Sequence, residues 1–168
     1  VEAHLLYDKS GPGGRPTWAR FFTMASPPSP RWQGHTVRFS EDEPRLPYHG
    51  NNPLEWRVLD FAGSLFGAEI AARSTSFGLG QVLGSNFAKL GYQSGRAMLD
   101  GMQASTHRQI AGFFDYCNPG LLGAIRATDW ATFARGYNGP ANVPVYSRLL
   151  ANAYAAAQAR IIVPVLTG

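Results

Sequence analysis

The chain has 168 residues, a formal net charge of +4 and a sequence pI near 9.5. Hydrophobic residues make up 45% and charged residues 15%, which excludes a disordered chain, and no apolar run nears the ~20 residues that span a bilayer. The single cysteine, Cys117, excludes an internal disulfide.

This length is expected to make one domain. The basic balance favours polyanionic partners such as nucleic acid, anionic membrane or cell wall, or else serves only solubility. Two lysines and no Lys/Arg-rich run speak against nucleic acid. The chain opens on Val1 without a basic segment and apolar stretch after it. It therefore reads as a processed product or a module of a longer chain, with no visible signal peptide. A monomer is expected.

Residues 8 to 53 are dense in Pro, Gly and aromatics, which predicts loops and turns with short strands such as "HTVRF". A helix is expected over "NPLEWRVLDFAGSLFGAEIAARS", with Asn52 as N-cap and Pro53 and Glu55 in its first turn. The glycines of "STSFGLGQVLGSNFAKLGY" break that pattern, and a short helix is expected from about Leu79. Further helices follow, with Ser94 and Ser105 as caps, Pro119 opening "PGLLGAIR", and Thr128 capping "DWATFARGY". Cys117 is expected to be buried near a helix end. "VYSRLLANAYAAAQAR" is the last helix, and "IIVPVLTG" is an apolar, unhelical tail. The fold class expected is mainly α, with an irregular β segment near the N-terminus.

No nucleophile elbow, H-E-x-x-H or C-x-x-C is present. "EAH" offers Glu2 and His4 alone, so neither a metal site nor a cofactor is expected. "GLGQVLG" lacks the lysine of a phosphate loop. Of eleven carboxylates, most read as solvated or as first-turn charges; Glu55 is among these. Glu2 differs, because it sits among apolar residues beside His4. A buried carboxyl there would have a raised pKa and suit a general acid; the alternative is a strand-edge residue paired to an arginine. Tyr137 and Asn138 stand at a helix end before a Gly-Pro turn. They are either a helix C-cap or a phenol and amide presented at a cleft.

Three separated stretches share one resemblance. "STSFGLGQVLGSNFAKLGY" resembles the S-x-S-x-G-x-x-Q-I-M-G-x-N-x-x-x-x-G-Y stretch of phage-type N-acetylmuramidases, the catalytic domains of certain endolysins. "DWATFARGYNGP" resembles their D-W-x-x-F-A-R-x-Y-N-G-P segment, and "VEAHLL" their F-E-x-H-x-F. "RWQGH", "PYHGNNPLEW" and "GFFDY" fit one branch of that family. The match runs in order over nearly the whole chain. More distantly, the Gly-rich Gln turn and the Tyr-Asn-Gly turn are similar to those of goose-type lysozymes and soluble lytic transglycosylases.

The resemblance implies a lysozyme-like fold with a sugar-binding cleft, and hydrolysis of the β-1,4 bond between N-acetylmuramic acid and N-acetylglucosamine in peptidoglycan. Lytic transglycosylation and a non-catalytic wall-binding module are the alternatives. No nucleic acid or membrane insertion is implied, and the place of action is the bacterial periplasm or cell wall. It further implies that Glu2 is the catalytic candidate, and that Ser74, Ser76, Phe77, Gln81, Tyr137, Asn138, His4 and Tyr48 bind substrate. Trp32 is a further stacking candidate. The family's general acid lies in an E-S-x-G-x-G-F segment upstream of F-E-x-H. Residues 1–168 are therefore expected to form one domain without that segment, and Glu2 matches the family's second glutamate.

Overall fold

The computed structural model describes residues 1–31 and 33–161, so Trp32 and most of the apolar tail lie outside the described residues. It is mostly helical with short antiparallel strands, and it divides into two compact units, Val1–Tyr116 and Cys117–Gly168.

The first unit opens with α1 (Ala3–Lys9) and α2 (Gly11–Phe21), where the proline-rich sequence predicts loops. Pro12 sits in the first turn of α2, where a missing N–H costs nothing, but Pro16 lies inside the helix. Packing overrides that penalty. Trp18 is buried, donates its indole N–H to the Ala3 carbonyl at 2.9 Å, and meets Tyr7 edge-on with ring centroids 5.1 Å apart. The strands β1 (Phe22–Thr23), β2 (Thr36–Val37) and β3 (Leu46–Pro47) form one antiparallel sheet in that order. Phe22 pairs with Val37 and both are buried, whereas Thr23 and Thr36 join their hydroxyls at 2.6 Å.

Next come α3 (Asn52–Phe66) and α4 (Ala68–Arg73). The cap of α3 is Asn51, one residue before the expected Asn52; its side chain accepts from Leu54 N–H at 3.2 Å. The expected single helix breaks at Gly67, whose φ of +90° suits glycine and stops the α3 ladder. The hairpin β4 (Ser76–Phe77) and β5 (Val82–Leu83) replaces the helix expected from Leu79, and a 3₁₀ helix (Gly84–Leu90) follows it. Then come α5 (Gly95–Ala104), capped by Ser94 as expected, and α6 (Thr106–Tyr116), where Ser105 accepts from Arg108 N–H. The core joins Leu6, Trp18, Phe22, Val37, Val58, Ala72, Phe77 and Met98.

The second unit holds α7 (Pro119–Arg126), α8 (Trp130–Asn138) and α9 (Val143–Ile161). Cys117, directly after α6, is buried. Asn118 caps α7, with Pro119 in its first turn. The cap of α8 is Asp129 rather than Thr128. The Asp129 carboxylate accepts from Thr132 N–H at 3.0 Å, and hydrogen bonding from the Thr132 side chain first, then from its backbone, lowers its pKa; Thr128 sits at φ +54°.

Candidate active site

A cleft of about 400 Å³ opens along the β4–β5 hairpin in the first unit. It is lined by Ser76, Phe77, Leu79 and Gln81 from the hairpin, Glu55 and Trp56 from α3, and Gln109 from α6. The turn between the strands explains the polar amide after a glycine-rich run. Gln81 takes φ +50°, and both its backbone N–H and its side-chain amide donate to the Gly78 carbonyl at 3.0 Å. The amide thus closes the turn. Gln109 fastens the same turn from outside: its Oε1 accepts from Leu79 N–H at 3.1 Å, and its Nε2 donates to the Met102 carbonyl at 2.8 Å. Leu79, at the tip, is 68% exposed, so an apolar side chain is held open to solvent beside the cleft.

Glu2 stands at the N-cap of α1 without a side-chain capping bond. Its backbone N–H donates to the Ser74 carbonyl at 2.7 Å, which ties it to the chain just before β4. The Glu2 side chain is half-buried, but its neighbours are imidazoles rather than the apolar residues its sequence context suggests. Its Oε2 lies 3.6 Å from His35 Nδ1 and 3.8 Å from His4 Nδ1. His35 is buried and stacks on His4, with ring centroids 5.3 Å apart. Its Nδ1 meets His49 Nε2 at 2.8 Å, and His49 Nδ1 in turn lies 3.6 Å from Glu55 Oε1. Two carboxylates therefore flank a histidine pair, and Glu55 also lines the cleft. Burial pushes both His4 and His35 below the ordinary imidazole range, against the pull of Glu2.

Several expected contacts take other roles. Tyr48 is fully buried, with its ring against His49 and its hydroxyl donating to the Val1 carbonyl at 2.7 Å. It has no face for a sugar ring, and burial raises its pKa so that the phenol stays a donor. Tyr48→Phe should leave the Val1 carbonyl without that donor and cost about 1–3 kcal/mol, read as a lower urea midpoint. Ser74 is also fully buried, and its hydroxyl donates to the Ile70 carbonyl at 2.8 Å. Ser74 therefore positions Glu2 through its backbone and does not meet substrate. Phe77 is 7% exposed, so it is core as well as cleft wall. Ser76 is half-buried in the cleft lining. In the second unit, Tyr137 stacks on Phe133 with centroids 5.2 Å apart, and Asn138 ends α8.

Sequence reading missed Glu55, Trp56, Gln109, His35 and His49. Glu55 looked like an ordinary first-turn charge. His35 and His49 carried a signal in "RWQGH" and "PYHGNNPLEW", since a buried histidine needs partners, but nothing local names them.

A mainly helical body, short antiparallel strands and a half-open cleft bearing a carboxylate make up a lysozyme-like architecture. The family model for N-acetylmuramidase matches residues 2–158, and the chain belongs to that family. It is accordingly a glycoside hydrolase of the muramidase type, which cleaves the bond between N-acetylmuramic acid and N-acetylglucosamine in peptidoglycan. No curated protein matches the chain. Among the described residues, no helix is long and apolar enough to cross a membrane.

Proposed function

We propose that the glycan strand lies in the cleft along the β4–β5 hairpin and that Glu2 and Glu55 are the two carboxylates of the reaction. The observation that carries this is the meeting of Ser76, Phe77 and Gln81 with Glu55 in one cleft, beside the imidazole chain that leads to Glu2. Glu2 hands its proton to the leaving glycosidic oxygen as the C1–O bond breaks. Glu55 faces the positive charge that develops at C1 and draws a proton from the attacking water. The His35–His49 pair, joined at 2.8 Å, lies between the two carboxylates, 3.6 Å from Glu2 on one side and 3.6 Å from Glu55 on the other. Tyr137 and Asn138 are further sugar contacts, on their match to the family's Tyr-Asn-Gly turn. Both units belong to one catalytic domain, which acts as a monomer on the wall from the periplasmic side.

Trp56 is the aromatic side chain best suited to a sugar face. It lines the cleft and is 38% exposed, so its ring is held by α3 yet open. Trp56→Ala should raise KM for soluble glycan fragments about 10-fold while kcat changes little. An unchanged KM would place the glycan elsewhere.

A further inference from the structure

The histidine cluster beside the cleft holds an arrangement that glycosidic cleavage does not require. His35 Nε2 lies 2.9 Å from the Arg31 carbonyl oxygen, which can only accept, so Nε2 carries the hydrogen and Nδ1 presents a lone pair. Facing that lone pair are His49 Nε2 at 2.8 Å and Glu2 Oε2 at 3.6 Å. Each of the three residues offers one ligand atom, and these atoms all lie within 4.8 Å of one another. His4 is not part of the set, because its Nδ1 approaches His35 on the Nε2 side, at 3.3 Å.

We propose that Glu2, His35 and His49 form a binding site for a zinc-type divalent cation. Zinc holds ligands at about 2.0–2.2 Å in a tetrahedron, which puts neighbouring ligand atoms about 3.3 Å apart. The separations of 2.8 and 3.6 Å bracket that edge. A carboxylate oxygen aimed at an imidazole lone pair is repulsive until a proton or a cation lies between them. The surroundings are those of metal-ligating histidines: the far nitrogen of His35 donates to a backbone carbonyl, and the far nitrogen of His49 lies 3.6 Å from the Glu55 carboxylate. Two imidazoles with one carboxylate select zinc and its transition-metal neighbours over magnesium or calcium. Three protein ligands leave a fourth position open. A bound cation claims the Glu2 carboxylate, so zinc also inhibits the hydrolase reversibly; this second effect rests on the reading of Glu2 as proton donor.

Calorimetric titration of tag-free protein with zinc chloride tests the site. One ion per chain is expected. His49→Ala, at an exposed position, should weaken binding about 100-fold, whereas His107→Ala, also exposed but outside the cluster, should leave it unchanged. Circular dichroism confirms that the variants fold. No zinc binding by the wild type, equal binding by His49→Ala, or magnesium bound as tightly as zinc would each overturn the proposal. Activity measured alongside separates the two claims. Inhibition that follows zinc occupancy and reverses with EDTA supports both, and binding without inhibition keeps the site but removes Glu2 from the chemistry.

Discussion

Glu2→Gln is expected to lower kcat for peptidoglycan cleavage by about 10²–10⁴-fold, the usual contribution of a positioned proton donor. That corresponds to about 2.7–5.5 kcal/mol of transition-state free energy. The substitution is clean because the Glu2 side chain makes no capping bond to α1, and the contacts that fix its position are backbone: its N–H to Ser74 and its carbonyl to Leu6 N–H. Glutamine keeps the shape and loses the titratable oxygen. New reducing ends released from purified peptidoglycan measure the rate, and urea unfolding shows that the fold survives. Glu55→Gln is the companion. Its amide oxygen can still accept from Gly50 N–H, so the start of α3 is preserved while the charge facing the cleft is lost, and kcat should fall again. A full rate for Glu2→Gln with loss in Glu55→Gln would move the proton donor to Glu55. Full rates for both would remove this pair from the reaction.

Gly84→Ala is expected to be the most damaging single methyl group in the first unit. A Cβ on Gly84 would lie 2.2 Å from the Ala72 carbonyl oxygen and 2.9 Å from its carbon, with the Phe77 ring at 3.0 Å. The obstacle is backbone at the end of α4, so no rotamer change relieves it. Gly84 N–H also donates to the Thr75 carbonyl at 2.8 Å, which pins the residue in place. The expected loss is about 3 kcal/mol or more, the upper range for overpacking. Activity should fall with it, because the displaced segment leads into Ser74, which holds Glu2. Gly123→Ala is the control. Gly123 lies within α7 with nothing inside 4 Å of an added Cβ, so the change should stabilise by about 0.5–1 kcal/mol. A Gly84→Ala protein with an unchanged urea midpoint would refute the close approach.

Local chemistry explains which parts of the fold the sequence could announce. Ser94 and Ser105 cap their helices, and Pro119 opens α7, because a cap depends on three or four consecutive residues. The misplacements are of the same local kind. Asn51 and Asp129 cap one residue away from Asn52 and Thr128, since Asn-Asn and Thr-Asp each offer two adequate oxygens and the chain's entry angle picks one. Helix α2 shows the opposite case. Its prolines argue for a loop, and the burial of Trp18 against Ala3 and Phe22 outweighs them. No window of sequence contains that trade.

The site divides in the same way. Ser76, Phe77 and Gln81 lie within six residues, so their motif carried them into one cleft wall. Glu2 stands among apolar residues in the sequence, whereas its neighbours in space are the imidazoles of His4, next but one in the chain, and of His35, more than thirty residues away. Tyr48 and Ser74 look like surface groups in a polar stretch, yet both are fully buried.

The sequence by itself determined the family, the mainly helical class, the helix caps to within a residue and the glutamine turn, because each rests on residues close in the chain or on a motif. Only the tertiary structure decided that Glu2 and Glu55 flank a histidine pair, that Tyr48 and Ser74 serve as struts, and that α4 leaves no room at Gly84. Those facts depend on which distant segments share a volume, and that is settled by burying the whole apolar surface at once.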